Sequence, residues 1–188
     1  MKTKDLAYIA LFAAVVAVLG LLPPVPVPGI PVPITAQTLG VMLAGSVLGA
    51  RRGALALLVF LAVVAVGLPV LSGGRGGLAV FVGPSAGFLY SWPIAAFVIG
   101  LLTQLFWRRY NLPWALLANF IGGVLVIYAI GIPFLSLFGH IPLATAFTGS
   151  MAFVPGDLVK AVAASLVAVA VHKAYPVIEL PARRATAG

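Results

Sequence analysis

No charged side chain interrupts the sequence from Leu6 to Ala50, and the same holds from Gly76 to Trp107 and from Tyr110 to Gly156. Stretches this long have no place at the surface of a soluble domain, where about a quarter of residues carry charge. Here only 7% do, against 63% hydrophobic residues and a mean hydropathy of +1.21. The solvent for most of the chain is therefore expected to be lipid.

A bilayer core about 30 Å thick takes about 20 helical residues at 1.5 Å each. Spans are expected at Thr3–Leu22, Ile34–Ala50, Gly53–Gly67, Pro84–Phe106, Pro113–Gly131 and Pro155–Ala174. Proline every two or three residues from Pro23 to Pro33 forbids regular helix there. Pro113 and Pro155 suit helix starts, where a missing N–H costs nothing. Lys2 and Lys4 before an apolar run resemble a signal peptide, but no polar cleavage region follows, so a retained first helix is expected.

The cations then sort by side. Lys2, Lys4, Arg51, Arg52, Arg108, Arg109, Lys173, Arg183 and Arg184, nine of the eleven, fall at one end of an alternating bundle. The positive-inside rule makes that end cytoplasmic. The expected fold is an all-α integral membrane protein, a six-transmembrane-helix bundle with both termini cytoplasmic and residues 1–188 forming a single membrane domain. The net charge of +8 does not point to nucleic acid, because the cations lie in dispersed pairs rather than a stripe.

The cations outside this cluster carry the chemistry. Asp157 and Lys160, three residues apart, share a helix face near the outer side. They fit either a self-satisfied ion pair or the polar wall of an outward pocket. Arg75, in Gly73-Gly74-Arg75-Gly76-Gly77, fits an exposed loop charge or a lid carrying a cation over an anionic ligand. Phe88 and Tyr90 are candidate ring contacts. Trp92 reads as an interfacial belt or plain helix packing. Gln37 and Asn119 are polar groups in apolar helices, each able to bond a neighbouring helix; Gln37 is also a candidate ligand contact. Ala7, Ala10, Ala14 and Ala17 form a small-residue stripe on the first helix, suited to close packing inside the bundle or against another membrane subunit.

Catalytic chemistry finds little support. The chain has no cysteine, so no disulfide or thiolate site. His140 and His172 fall at opposite ends and cannot share a metal. Asp5 and Glu179 are far from Asp157. No nucleotide-binding motif is present.

Five segments in order, Pro31-Val32-Pro33-Ile34-Thr35-Ala36-Gln37-Thr38-Leu39, Leu43-Ala44-Gly45-Ser46-Val47-Leu48-Gly49, Gly67-Leu68-Pro69-Val70 with the glycine loop, Gly83-Pro84-Ser85-Ala86-Gly87-Phe88 and Pro155-Gly156-Asp157-Leu158-Val159-Lys160, together resemble the BioY family, the biotin-binding S components of energy-coupling factor transporters. The resemblance implies a six-helix bundle in the prokaryotic plasma membrane, with an externally open biotin site that includes Asp157 and Lys160. It implies a transmembrane coupling subunit, two cytoplasmic ATPase subunits, and Ala10 and Ala14 on the face toward the coupling subunit. It implies no cofactor. Composition alone leaves open an S component for thiamine or riboflavin, or an assembly protein with no ligand.

Overall fold

The computed structural model describes residues 2–175 together with Val177 and Ile178. Among these residues six helical rods follow one another: α1 (Thr3–Leu19), α2 (Gln37–Leu48), α3 (Ala50–Ala65), α4 (Ala86–Leu105), α5 (Leu112–Gly139) and α6 (Leu143–Ala174). A π-helical stretch, Ile121–Val126, lies within α5, and a 3-10 turn, Met151–Phe153, lies within α6. The rods α4, α5 and α6 are long and apolar enough to cross a membrane; α1, α2 and α3 are shorter.

Several expected helix limits differ from the observed ones, three of them with structural consequence. Arg51 and Arg52, read as a loop, form the first turn of α3, because α2 and α3 are joined by Gly49 alone. Gly49 has φ +81°, a conformation glycine takes without Cβ strain. The fifth helix continues past Gly131 to Gly139 through Pro133. Proline is tolerated inside membrane helices where neighbours satisfy the freed carbonyl. The sixth begins at Leu143, twelve residues before Pro155, which sits in the first turn after the 3-10 break. His140, placed in an outer loop, is the left-handed cap that ends α5 (φ 51°).

The rod α2 forms the axis of the bundle. Apart from Thr38, Leu39 and Leu43, all its residues are buried, as a helix apolar on every side must be. It packs on α1, α3, α4, α5 and α6. Glycine makes the tightest of these contacts possible: a Cβ on Gly45 would lie 2.6 Å from the Ala96 carbonyl oxygen of α4. By contrast, α1 buries only Asp5, Ile9, Ala13 and Val16, and turns Ala10 and Ala14 to the outside.

Between α2, α5 and α6 the Ser46 hydroxyl donates to Asn119 Oδ1 (2.9 Å), and Asn119 Nδ2 donates to Ser165 Oγ (2.9 Å). Asn119 thus bonds two neighbouring helices, as its place in an apolar run suggests. Hydrogen bonds between membrane helices contribute about 0.6 kcal/mol on average and up to about 1.7. Asn119→Ala is expected to cost about 1 kcal/mol, read as a lowered Tm in detergent, while ligand affinity stays unchanged.

The two ends of the bundle differ in charge. At one end Asp5 pairs with Arg52 (2.8 Å), Arg52 donates to the Val177 carbonyl, and His172 sits 3.1 Å from the Ser46 carbonyl between Trp107 and Tyr110. These contacts gather the start of α1, the α2–α3 turn, the end of α4 and the end of α6. Lys2, Lys4, Arg51, Arg52, Arg108, Arg109 and Lys173 all belong to these segments. Glu179, Arg183 and Arg184 lie outside the described residues.

Candidate ligand site

At the opposite end the connecting segments 20–36 and 66–85, the second containing a 3-10 turn at Leu78–Phe81, fold over the helix ends. Val25 and Ile34 exchange backbone hydrogen bonds of 2.9 and 2.8 Å. The glycine loop turns through Gly73 (φ +80°) and Gly74 (φ +68°), so that Leu71 N–H reaches the Arg75 carbonyl at 3.0 Å. Gln37 fastens α1 and the second of these segments to α2. Its Nε2 donates to the carbonyls of Val16 and Val70 (3.1 Å each), and its Oε1 accepts from Ser72 N–H (3.0 Å). Gln37 borders the cavity below, with both amide donors and one Oε1 lone pair committed to the backbone.

Beneath these loops lies a cavity of about 60 Å³. One wall is polar and centred on α6. Asp157 Oδ1 accepts from Lys160 Nζ (2.9 Å) and from the Thr38 hydroxyl (3.2 Å), and Oδ2 accepts from the Tyr128 hydroxyl (2.7 Å). Lys160 also donates to the Thr35 carbonyl (2.6 Å) and to Thr38 Oγ1 (2.9 Å). The carboxylate and ammonium side chains are only 5% and 14% exposed. The acid and base therefore pair with each other, and a cavity opens beside the pair.

Valence counting shows what this wall has left to offer. A carboxylate presents about four lone-pair positions; three are filled, leaving one on Oδ2. An ammonium has three N–H donors, and Lys160 uses all three. Asp157 can accept one ligand N–H as it stands, whereas Lys160 must exchange a bond to reach a ligand.

The other walls are apolar: Phe88 and Trp92 of α4, Ile127 and the Tyr128 ring of α5, and Phe153 of α6. Phe88 and Phe153 meet edge to face at 6.0 Å, and Phe60 backs Trp92 at 5.9 Å. Tyr90 is not among them. It is 41% exposed, and its hydroxyl donates to the Phe81 carbonyl at 2.7 Å, away from the cavity. Trp92, read as belt or helix packing, is 4% exposed and faces inward. The helix repeat explains the exchange, since residue i+4 shares the face of Phe88 and residue i+2 points away.

Arg75 stands at the rim, half-buried. Its Nε donates to the Ser72 carbonyl (3.3 Å), and among the described residues it has no carboxylate partner. Thr35, Thr38, Trp92, Tyr128 and Phe153 are the site residues that sequence reasoning missed. Tyr128 carried a signal, a single hydroxyl within the apolar run Gly122–Phe134. Ala10 and Ala14 are remote from the cavity. No cluster of His, Cys, Asp and Glu fit for a metal occurs among the described residues.

An apolar cavity of about 150 Å³ admits benzene. This one is less than half that size, so any ring-bearing ligand enters only when its walls part. The chemistry offered is recognition: a flat, largely apolar molecule with an N–H for Asp157 and an anionic group for Arg75.

Fold and cavity together define a multi-pass helical membrane protein with a part-polar cavity at one end of its bundle. The chain belongs to the BioY family, whose profile matches residues 1–177. It is 54% identical to the biotin transporter BioY of Rhizobium etli, over 97% of this chain and 100% of that one. It is 45% identical to a probable biotin transporter BioY of Bacillus subtilis, over 93% of each. A crystal structure of the S-component for biotin from an ECF-type ABC transporter superposes with a TM-score of 0.87 at 36% identity, covering 92% of this chain and 95% of the other.

Proposed function

We propose that this chain captures biotin at the outer face of a cell membrane, as the substrate-binding subunit of an energy-coupling factor transporter. The observation that carries the reading is the Asp157–Lys160–Thr38–Tyr128 array on one wall of an otherwise apolar cavity, rimmed by Arg75, which has no carboxylate partner among the described residues. Biotin has the matching parts: a ureido group with two N–H donors and one carbonyl, an apolar thioether ring and an anionic valerate. Asp157 accepts a ureido N–H at its open position. Lys160 gives up its bond to Thr38 for the ureido oxygen. Arg75 meets the valerate.

All six rods cross the bilayer in this reading, and the cation-rich end is cytoplasmic. The site then opens outward, and both termini lie inside. The rod α2, at twelve residues, is about 18 Å long. The non-helical segment before it completes the crossing inside protein, where irregular backbone is tolerated. The transmembrane coupling subunit docks on the exposed Ala10 and Ala14 face of α1, and two cytoplasmic ATPases supply the energy.

Titration of the purified protein with biotin, thiamine and riboflavin tests the reading. Saturable binding of biotin alone supports it; binding of another vitamin, or of none, overturns it. The Arg75 assignment has its own check. Arg75→Gln is expected to weaken biotin roughly tenfold or more, the worth of a hydrogen bond to a charged group. Biotin methyl ester, which has no anion, should bind wild type and variant alike.

A further inference from the structure

The cytoplasmic-side end carries a second cavity, of about 850 Å³, between the start of α3 and the end of α4. Its polar part is formed by Arg51, Arg52, Gln104 and Arg108. Arg52 is held by Asp5 at 2.8 Å. Arg51 and Arg108 are exposed, and no carboxylate among the described residues is left for them, since Asp5 is taken and Asp157 is at the far end. The apolar part is a lane on α4: Phe97, Leu101 and Leu105 succeed one another every four residues, 42%, 41% and 69% exposed. At 1.5 Å per residue that lane is about 12 Å long, parallel to the helix.

A cationic head joined to an apolar lane along a membrane helix has a matching ligand chemistry. We infer that this cavity seats one anionic phospholipid, its phosphate on Arg51 and Arg108 and an acyl chain along Phe97, Leu101 and Leu105. Basic pockets between helices on the cytoplasmic side hold anionic headgroups by this combination of charge and shape, and arginine meets phosphate oxygens with two parallel donors. Arg52, neutralised by Asp5, shapes the wall. The lipid would fasten α4 to the α2–α3 turn on the side facing away from the biotin site. The inference rests on the six-span orientation proposed above, and its test has a separate readout.

Phosphatidylglycerol and phosphatidylcholine are titrated onto the detergent-purified protein, and bound lipids are counted by native mass spectrometry. Wild type is expected to bind one phosphatidylglycerol saturably and phosphatidylcholine roughly tenfold more weakly. R51Q/R108Q should lose at least that preference. R109Q removes the same type of charge from outside the cavity and should keep it. Free glycerol phosphate should not compete, because it lacks the chain. Biotin titration of each variant reports folding and the vitamin site independently. No headgroup preference in wild type overturns the inference without recourse to any variant. So does an equal loss in R109Q, which would mean diffuse charge attraction, or displacement by glycerol phosphate, which would mean a soluble-anion site.

Discussion

Lys160→Ala is expected to destabilise the protein more than the joint replacement D157N/K160M, although the single change removes fewer interactions. Among the described residues the ammonium is the only cation paired with Asp157, whose side chain is 5% exposed. Its loss leaves a buried carboxylate supported only by the Thr38 and Tyr128 hydroxyls. Breaking a buried ion pair from one side costs about 3–5 kcal/mol, whereas replacing both partners by uncharged groups of like shape is often neutral. Tm in detergent should therefore fall strongly for K160A and recover in large part for the double variant. Biotin binding should not recover. D157N/K160M lacks both the carboxylate acceptor and the ammonium, so affinity should drop at least tenfold even though the fold is restored. Stability and binding thus separate in one set of variants. A double variant no more stable than K160A would show that the pair is not a coupled unit. Wild-type affinity in the double variant would remove the pair from the biotin site.

The sequence made one part of this wall legible and hid the rest for a definite reason. Asp157 and Lys160 are one helical turn apart, and a charge pair in an apolar run needs a partner or a cavity. Their other partners are remote in sequence: Thr38 and Thr35 lie 119 to 125 residues away, and Tyr128 lies 29 away. No periodicity spans such separations. The same limit explains Gln37. Its place in an apolar helix marked it as bonded to something, but only the fold shows that the partners are Val16, Val70 and Ser72.

Helix limits misled where charge was taken as a loop signal and where an apolar span was ended early. Arg51 and Arg52 sit in a first turn rather than a connection, α5 runs on through Pro133, and Pro155 does open an α-helical stretch, but a short helix precedes it in the same rod. The grouping of the seven described cations survived these shifts, because the end of the bundle a residue occupies depends on helix order and not on the limits. Trp92 and Tyr90 could have been placed correctly, since choosing Phe88 as inward-facing already decides the positions two and four residues on.

Gly100→Val should have the largest effect of any change distant from the cavity. A Cβ at Gly100 runs into backbone atoms of Gly49 and Ala50. Overpacking commonly costs about 1–3 kcal/mol because side chains can shift aside. Here the obstacle is main chain, in the single-residue reversal that joins α2 to α3. Moving it means rotating Gly49 out of its positive-φ conformation or separating α4 from α2, where Gly45 already abuts the Ala96 carbonyl. Neither movement stays local, since α2 is the axis on which the other rods pack. G100V is expected to exceed the usual range and to yield little monodisperse protein by size-exclusion chromatography in detergent. G139A is the matched control. The nearest atom to its added methyl is a Leu135 side-chain carbon at 3.5 Å, an ordinary contact. Replacing glycine where alanine fits stabilises by about 0.4–1 kcal/mol, so its Tm should hold or rise. Wild-type yield and Tm for G100V would mean that α4 does not meet the turn at this distance. The packing of the central three helices, and with it the placement of Phe88 and Trp92 against the cavity, would then have to be drawn differently.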